Sequence, residues 1–285
     1  MLNYGKTYYF NLLTPKNMGI LISYLKDKKI NIIENLKENF NTEQFTKKYL
    51  DNEISTLDYL LKINFYSSRS LNDLNQYYIF PWLSIIDNND LSVKLRDFKY
   101  PPSAQSENKR KEIISRFEGL EKSIENTNKF INHFNSHYSA SSFINFYLTR
   151  ISPYNENIIK LQNGQYDNPN RTFYCVYEIL EILIKYNDNR ELIPEFFYLG
   201  ESYLNLNFNN YGMRIDHVYI NNITFDKYFK GSGINITNPF EFMIRYRKLL
   251  ESSEVNKLIN LWIDNIFGVN QLNKKKENCN LFNKN

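Results

Sequence analysis

Cysteine is scarce in this 285-residue chain: Cys175 and Cys279 are the only two. They lie far apart, match no metal-ligand spacing and make no disulfide framework. Long apolar runs are missing too. No stretch approaches the roughly 18 consecutive apolar residues of a membrane helix. Residues 1–25 lack the basic region and apolar core of a signal peptide. The expectation is a reduced, soluble, intracellular protein. Concentrated charge is also absent. The 35 basic and 31 acidic residues leave a formal net charge of +4 and are mostly interspersed. Nucleic-acid binders gather cations, because each neutralised phosphate contributes by counterion release, so no nucleic-acid partner is expected. The one basic run is Lys274-Lys275-Lys276. A solvated tail accounts for it, and a contact with anionic lipid is the alternative.

Catalytic constellations are equally thin. His133 and His137 stand four apart and would face one metal if that stretch were helical. Phe134 occupies the place of Glu in an HExxH motif, and no third ligand is apparent from spacing. Hydrogen-bonded histidines are the simpler reading; a metal-dependent enzyme built on this pair is the alternative. Gly231-Ser232-Gly233 lacks the spacing of a phosphate loop and is not followed by Lys-Ser or Lys-Thr. No G-x-S-x-G elbow is present. Glu191 and Glu195, or Asp97 and Glu107, are close in sequence, but Arg190 beside Glu191 points to ion pairing rather than acid–base work. The expectation is a chain without catalysis, metal or cofactor.

What is abundant is apolar and aromatic. Hydrophobic residues make up 42% of the chain, aromatics 16% and charged residues 23%, the composition of a globular protein with ample core. Residues 8–13 read as a short strand. Thr14 then caps a helix with Pro15 at its first position, running to about Asp27. Residues 28–52 read as linker and short helix. Helical spacing recurs at Ile54, Leu57, Leu60, Leu61 and Ile63 behind a Ser55 cap. Residues 87–109 read as loop and 110–135 as a charged amphipathic helix. Further helices are expected at 139–150, 171–186, 239–252 and 253–267, with Gly268 as a C-cap candidate. Residues 187–199 read as extended. Residues 205–238 read as loops, with one short strand near 218–220.

The segments without clean periodicity mix polar and aromatic residues, and they carry a resemblance. Residues 67–82 read SSRSLNDLNQYYIFPW, which resembles AGRSYNDLNQYPVFPW, the most distinctive block of the BEACH family. LRDF at 95–98, HFNSHYS at 133–139 and TRISPY at 149–154 follow in the family's order. LQNGQYDNPNRTF at 161–173 and RELIPEFFYL at 190–199 are closely similar to its later blocks. EFMIRYRKLLES at 241–252 and LWIDNIFG at 261–268 complete eight ordered matches over about residues 45–282. Departures occur: Ser68 replaces a usual Gly, Tyr78 a usual Pro, and Gly200 the Pro of a YLPE sequence. The stretch before residue 239 also differs, with Asp226-Lys227-Tyr228-Phe229 where the family has PPWA.

The resemblance implies a mostly α BEACH fold, with helices packed around a core of extended irregular segments. Residues 1–44 would be a remnant or linker, with a short strand and helix resembling the end of a PH-like domain; 45–285 would be the BEACH domain. The chain then reads as a fragment of a longer protein or a minimal member. The implied function is a non-catalytic scaffold in vesicle fusion and fission, lysosome-related organelles or autophagy, acting through protein–protein contacts. Its partners would be a PH-like domain, in cis or in trans, and trafficking proteins. Its location would be the cytoplasm or, peripherally, endosomal, lysosomal or vesicle membranes. Arg69, Asn72, Asp73, Asn75, Gln76, Asp167, Arg171, Glu191 and Glu195 form the expected structural polar motif, since such groups can satisfy buried backbone. Trp82 and Trp262 are the expected core anchors. Tyr77, Phe80, Phe196 and Phe197 are the expected partner groove, and an exposed apolar patch is expected where a PH-like domain would sit.

Overall fold

Capping and apolar spacing decide where the helices start. The computed structural model describes residues 12, 14–30, 32, 36–87, 92–123, 132–134, 137–225, 228, 236, 238–271 and 279–280. The chain divides into two units, residues 1–78 and 79–285. In the first, α1 (Pro15–Asp27) begins where the Thr14 side chain accepts the Asn17 N–H at 3.3 Å. Two short helices follow, α2 (Leu36–Thr42) and α3 (Phe45–Leu50). At α4 (Thr56–Tyr66), Ser55 Oγ accepts the Asp58 N–H at 3.1 Å and donates to the Asp58 carboxylate at 2.7 Å. Leu57, Leu60, Leu61 and Ile63 turn inward from α4. Rings bind these helices together: Tyr49 stacks on Tyr59 at 4.4 Å, and Phe40 meets Phe45 and Tyr66 at 5.5 and 5.4 Å.

The second unit is also mostly helical. Its described residues hold one antiparallel two-stranded sheet, β1 (Ser84–Ile86) with β2 (Val93–Leu95), pairing Ser84 with Leu95 and Ile86 with Val93. The helices are α5 (Glu107–Ser123), α6 (Ser141–Tyr147), α7 (Tyr154–Leu161), α8 (Val176–Lys185), α9 (Pro239–Leu250) and α10 (Ser253–Ile266). Proline starts three of the short 3₁₀ turns between them, at Pro102–Ala104, Pro169–Arg171 and Pro194–Phe197, because its fixed φ suits a first helical position. Two non-helical segments run through the core and pair with each other: Phe80 and Leu192 exchange both main-chain hydrogen bonds at 2.8 Å.

Several spans differ from the periodicity. The helix expected over 171–186 starts only at Val176, because Arg171 closes a 3₁₀ turn and Cys175 bridges to Thr224. The Val176 N–H goes to the Thr224 carbonyl at 3.0 Å, so the strand-like pairing claims the residues before the helix. α7 was not expected at all, since its Asn-Glu-Asn opening hides the apolar side of a helix that buries only Asn155. Residues 87–109 contain β2 and the start of α5 rather than loop alone, and residues 132–134 lie outside any helix. The expected strand at 8–13, apart from Leu12, and Gly231-Ser232-Gly233 lie outside the described residues. Gly200 sits beneath the Phe240 ring, where a Cβ would stand 2.4 Å from Cδ1.

Candidate functional site

The polar block after α4 closes on itself. The Ser70 N–H reaches the Gln76 carbonyl at 2.9 Å, and the Gln76 N–H reaches the Asp73 carbonyl at 3.1 Å. Asp73 Oδ1 accepts the Asn75 N–H at 2.9 Å, and Ser70 Oγ accepts the Asn72 N–H at 3.1 Å. Arg69 is buried and donates from Nη1 to the Tyr77 carbonyl at 2.8 Å. Asn72, Asn75 and Gln76 are exposed, and Asp73 is half-buried. This loop therefore spends its short polar side chains on its own turns, while Arg69 braces the chain behind it.

The deepest ion pair belongs to Arg96 and Glu191, both side chains 2% exposed. Arg96 donates from Nη1 to Oε2 and from Nη2 to Oε1, each at 2.8 Å. Glu191 Oε2 also accepts the Trp82 N–H at 3.2 Å, and Arg96 Nη2 reaches the Tyr100 carbonyl at 3.0 Å. The Trp82 indole N–H goes to the Arg190 carbonyl at 3.1 Å. Arg190 is itself paired with Asp188, Nε to Oδ2 at 2.9 Å, and lies over the rings of Phe143 and Phe146. One bidentate pair thus joins the segment after β1 and β2 to the segment before Pro194–Phe197. Sequence reasoning singled out Glu191 but missed Arg96, although it lies in the LRDF block.

Arg150 is a third buried cation, and among the described residues it has no carboxylate at ion-pair distance. Its Nε and Nη2 donate to the Asn221 carbonyl at 2.8 and 2.6 Å, and Nη1 donates to the Phe173 carbonyl at 2.7 Å. Its guanidinium lies 5.2 Å from the Tyr211 ring centroid. Burial pushes its pKa down to about 10. The role of Arg150 is to give three hydrogen bonds to main chain that no sheet supplies. Nothing in the spacing of TRISPY would have announced it.

Around these pairs lies an aromatic interior. Trp82 meets Phe196 at 5.9 Å, Phe80 meets Phe197 at 5.4 Å, and Phe197 stacks on Tyr246 at 5.2 Å. The Tyr246 hydroxyl accepts the Leu83 N–H at 2.8 Å, fastening α9 to β1. Trp82 and Trp262 are both fully buried. Tyr77, Phe80, Phe196 and Phe197 are 1%, 0%, 2% and 1% exposed, so these residues are interior rather than the walls of an open groove. Glu195 is buried, with the Tyr198 hydroxyl 3.5 Å from Oε1. Asp167 and Arg171 form a surface pair at 2.5 Å.

His133 is fully buried and stacks on Phe117 at 4.5 Å, while its carbonyl accepts from Arg116. His137 Nδ1 lies 3.2 Å from the Ser139 N–H and 3.1 Å from the Ser139 carbonyl. Among the described residues no three His, Cys, Asp or Glu side chains converge on a metal position. Lys274-Lys275-Lys276 lies outside the described residues. No helix among the described residues is long and apolar enough to cross a membrane.

Residues 47–285 match the model of the Beige/BEACH domain. Beige protein homolog 1 of Saccharomyces cerevisiae is 34% identical over 235 residues, covering 80% of this chain and 10% of that relative. Beige protein homolog 1 of Schizosaccharomyces pombe is 33% identical over 239 residues, covering 81% of the chain and 9% of the relative. A putative neurobeachin homolog of Caenorhabditis elegans is 32% identical over 238 residues, with the same shares. The chain spans about a tenth of the length of the curated relatives it matches.

Proposed function

Because this chain belongs to the Beige/BEACH domain family, we propose that it is a protein-binding scaffold module in membrane trafficking and performs no catalysis of its own. The family match over residues 47–285 carries the reading. It is supported by how the interior charges are used: Arg96, Glu191 and Arg150 bond one another or main-chain carbonyls, the work of structural groups. Trafficking is inferred from the family alone, because fold does not fix function. The partners would be a PH-like domain, in cis or in trans, and proteins of vesicle fusion, lysosome-related organelles or autophagy. The module would act in the cytoplasm or peripherally on the corresponding membranes.

Affinity capture from cell lysate tests this, with the purified chain as bait and a destabilised Arg96→Ala chain as control. Recovery of vesicle, lysosomal or autophagy proteins by the wild type alone is the expected result. Recovery of the same proteins by both baits, or of none by folded wild type, would overturn it.

A further inference from the structure

Of the nine glycines in the chain, only Gly164 follows an asparagine. The pair closes α7. Asn163 stands just past the C-cap Gln162 with φ 55°, and the Gly164 N–H reaches back to the Ile159 carbonyl at 2.8 Å. This is the left-handed helix stop that glycine or asparagine usually fills. Residues 161–165 are all exposed, and the position a Cβ would take on Gly164 has no atom within 4 Å. The main-chain nitrogen after Asn163 is therefore unscreened by a side chain of its own or of a neighbour. Among the described residues no hydrogen bond holds the Asn163 side-chain amide. The next two asparagines are engaged: Asn168 Oδ1 accepts the Asn170 N–H and Asn170 Oδ1 accepts the Ile215 N–H, both at 2.9 Å.

We propose that Asn163 is a site of self-modification, where the side-chain amide turns slowly into aspartate and isoaspartate. The Gly164 nitrogen attacks Asn163 Cγ and forms a C–N bond. The bond from Cγ to the amide nitrogen breaks, and ammonia leaves with the proton that the Gly164 nitrogen gave up. Water then opens the resulting five-membered succinimide at either of its two carbonyls. One opening gives aspartate; the other gives isoaspartate, in which the main chain runs through Cβ and Cγ. No group is oxidised or reduced, and water is the only co-reactant. Each converted chain gains one carboxylate, which lowers the formal net charge of +4 by one.

The fold sets the pace. The attacking nitrogen is held by its hydrogen bond to Ile159, so it is freed when the last turn of α7 opens locally. α7 buries only Asn155, so little apolar contact opposes that opening. The product then keeps the turn open. Isoaspartate adds one carbon to the main chain just ahead of Gly164, which displaces the N–H that closes the helix. The new carboxylate also lies at the helix end where the macrodipole is negative. A closed α7 end thus marks a newly made chain and an opened one an aged chain.

The test is mass-spectrometric mapping of the full chain during storage at neutral pH, beside a synthetic peptide of residues 161–171. Trypsin cuts after Lys160 and Arg171, so one fragment carries Asn163, Asn168 and Asn170. Conversion is expected at Asn163 alone, with the isoaspartyl form resolved by chromatography, and several-fold slower in the folded chain than in the peptide. Hydrogen exchange at Gly164 should quicken in the converted fraction. Asn163→Gly, which suits the left-handed stop, should keep the melting temperature and give a fragment that storage leaves unchanged. No conversion at Asn163 in the folded chain while the peptide converts, or conversion at Asn168 or Asn170 instead, would sink the proposal. Equal rates in folded chain and peptide would refute the control by α7.

Discussion

At the scale of single residues, Arg96 and Glu191 carry the largest stake. Each charge is withdrawn from water, and both carboxylate oxygens are bonded to the guanidinium. Removing one partner strands the other in a poor solvent, which costs about 3–5 kcal/mol. Arg96→Ala and Glu191→Ala should each lose that much in urea unfolding. A paired Arg96→Met and Glu191→Leu replacement should recover most of it, because no lone charge remains. A double variant no better than the worse single one would contradict this account. Arg69, expected to satisfy buried backbone, sits at 9% exposure and donates to the Tyr77 carbonyl. The sequence reading marked Arg69 and Glu191 but passed over Arg96, because the partners Arg96 and Glu191 stand 95 positions apart.

At the scale of elements, helix starts were the most legible feature. Thr14, Ser55 and Ser252 cap α1, α4 and α10 with side-chain oxygens, and a cap is a local signal. The fastening of elements to one another was not legible. The Tyr246 hydroxyl on α9 accepts the main-chain N–H of Leu83, across 163 positions. Tyr246→Phe keeps the ring stack on Phe197 but leaves that buried N–H without an acceptor, a loss of about 1–3 kcal/mol. Chemical denaturation should show that loss with an unchanged m-value, and hydrogen exchange should quicken at Leu83. Unaltered exchange there would mean that another acceptor takes over. The sheet and α7 escaped the sequence reading for a related reason. Three-residue strands and a helix with one buried residue leave too little periodicity to detect.

At the scale of the whole molecule, the unusual feature is how many phenols are shut inside. Burial pushes Tyr147, Tyr203, Tyr228 and Tyr246 well above the ordinary tyrosine range. The unfolded chain releases those protons near pH 10, whereas the folded chain retains them. Above that pH the unfolded state binds fewer protons, so stability is full below about pH 10 and falls as pH rises further. Phenolate absorbance should therefore rise in two stages, the second coinciding with loss of helical circular dichroism. A single stage covering all 23 tyrosines with helices intact would refute the sign. The eight ordered sequence blocks were enough to place the chain in its family, and they draw on both interior and surface: Trp82 and Phe196 are buried, whereas Asn72, Gln76 and Arg171 are exposed. A different kind of consequence follows from Gly200, lodged under the Phe240 ring. Substituting Gly200 while Phe240 stays would drive new atoms into the ring, whereas Phe240, 37% exposed, has room to move away. The two positions are thus coupled: a side chain at position 200 is accommodated only when the Phe240 ring swings outward or is made smaller.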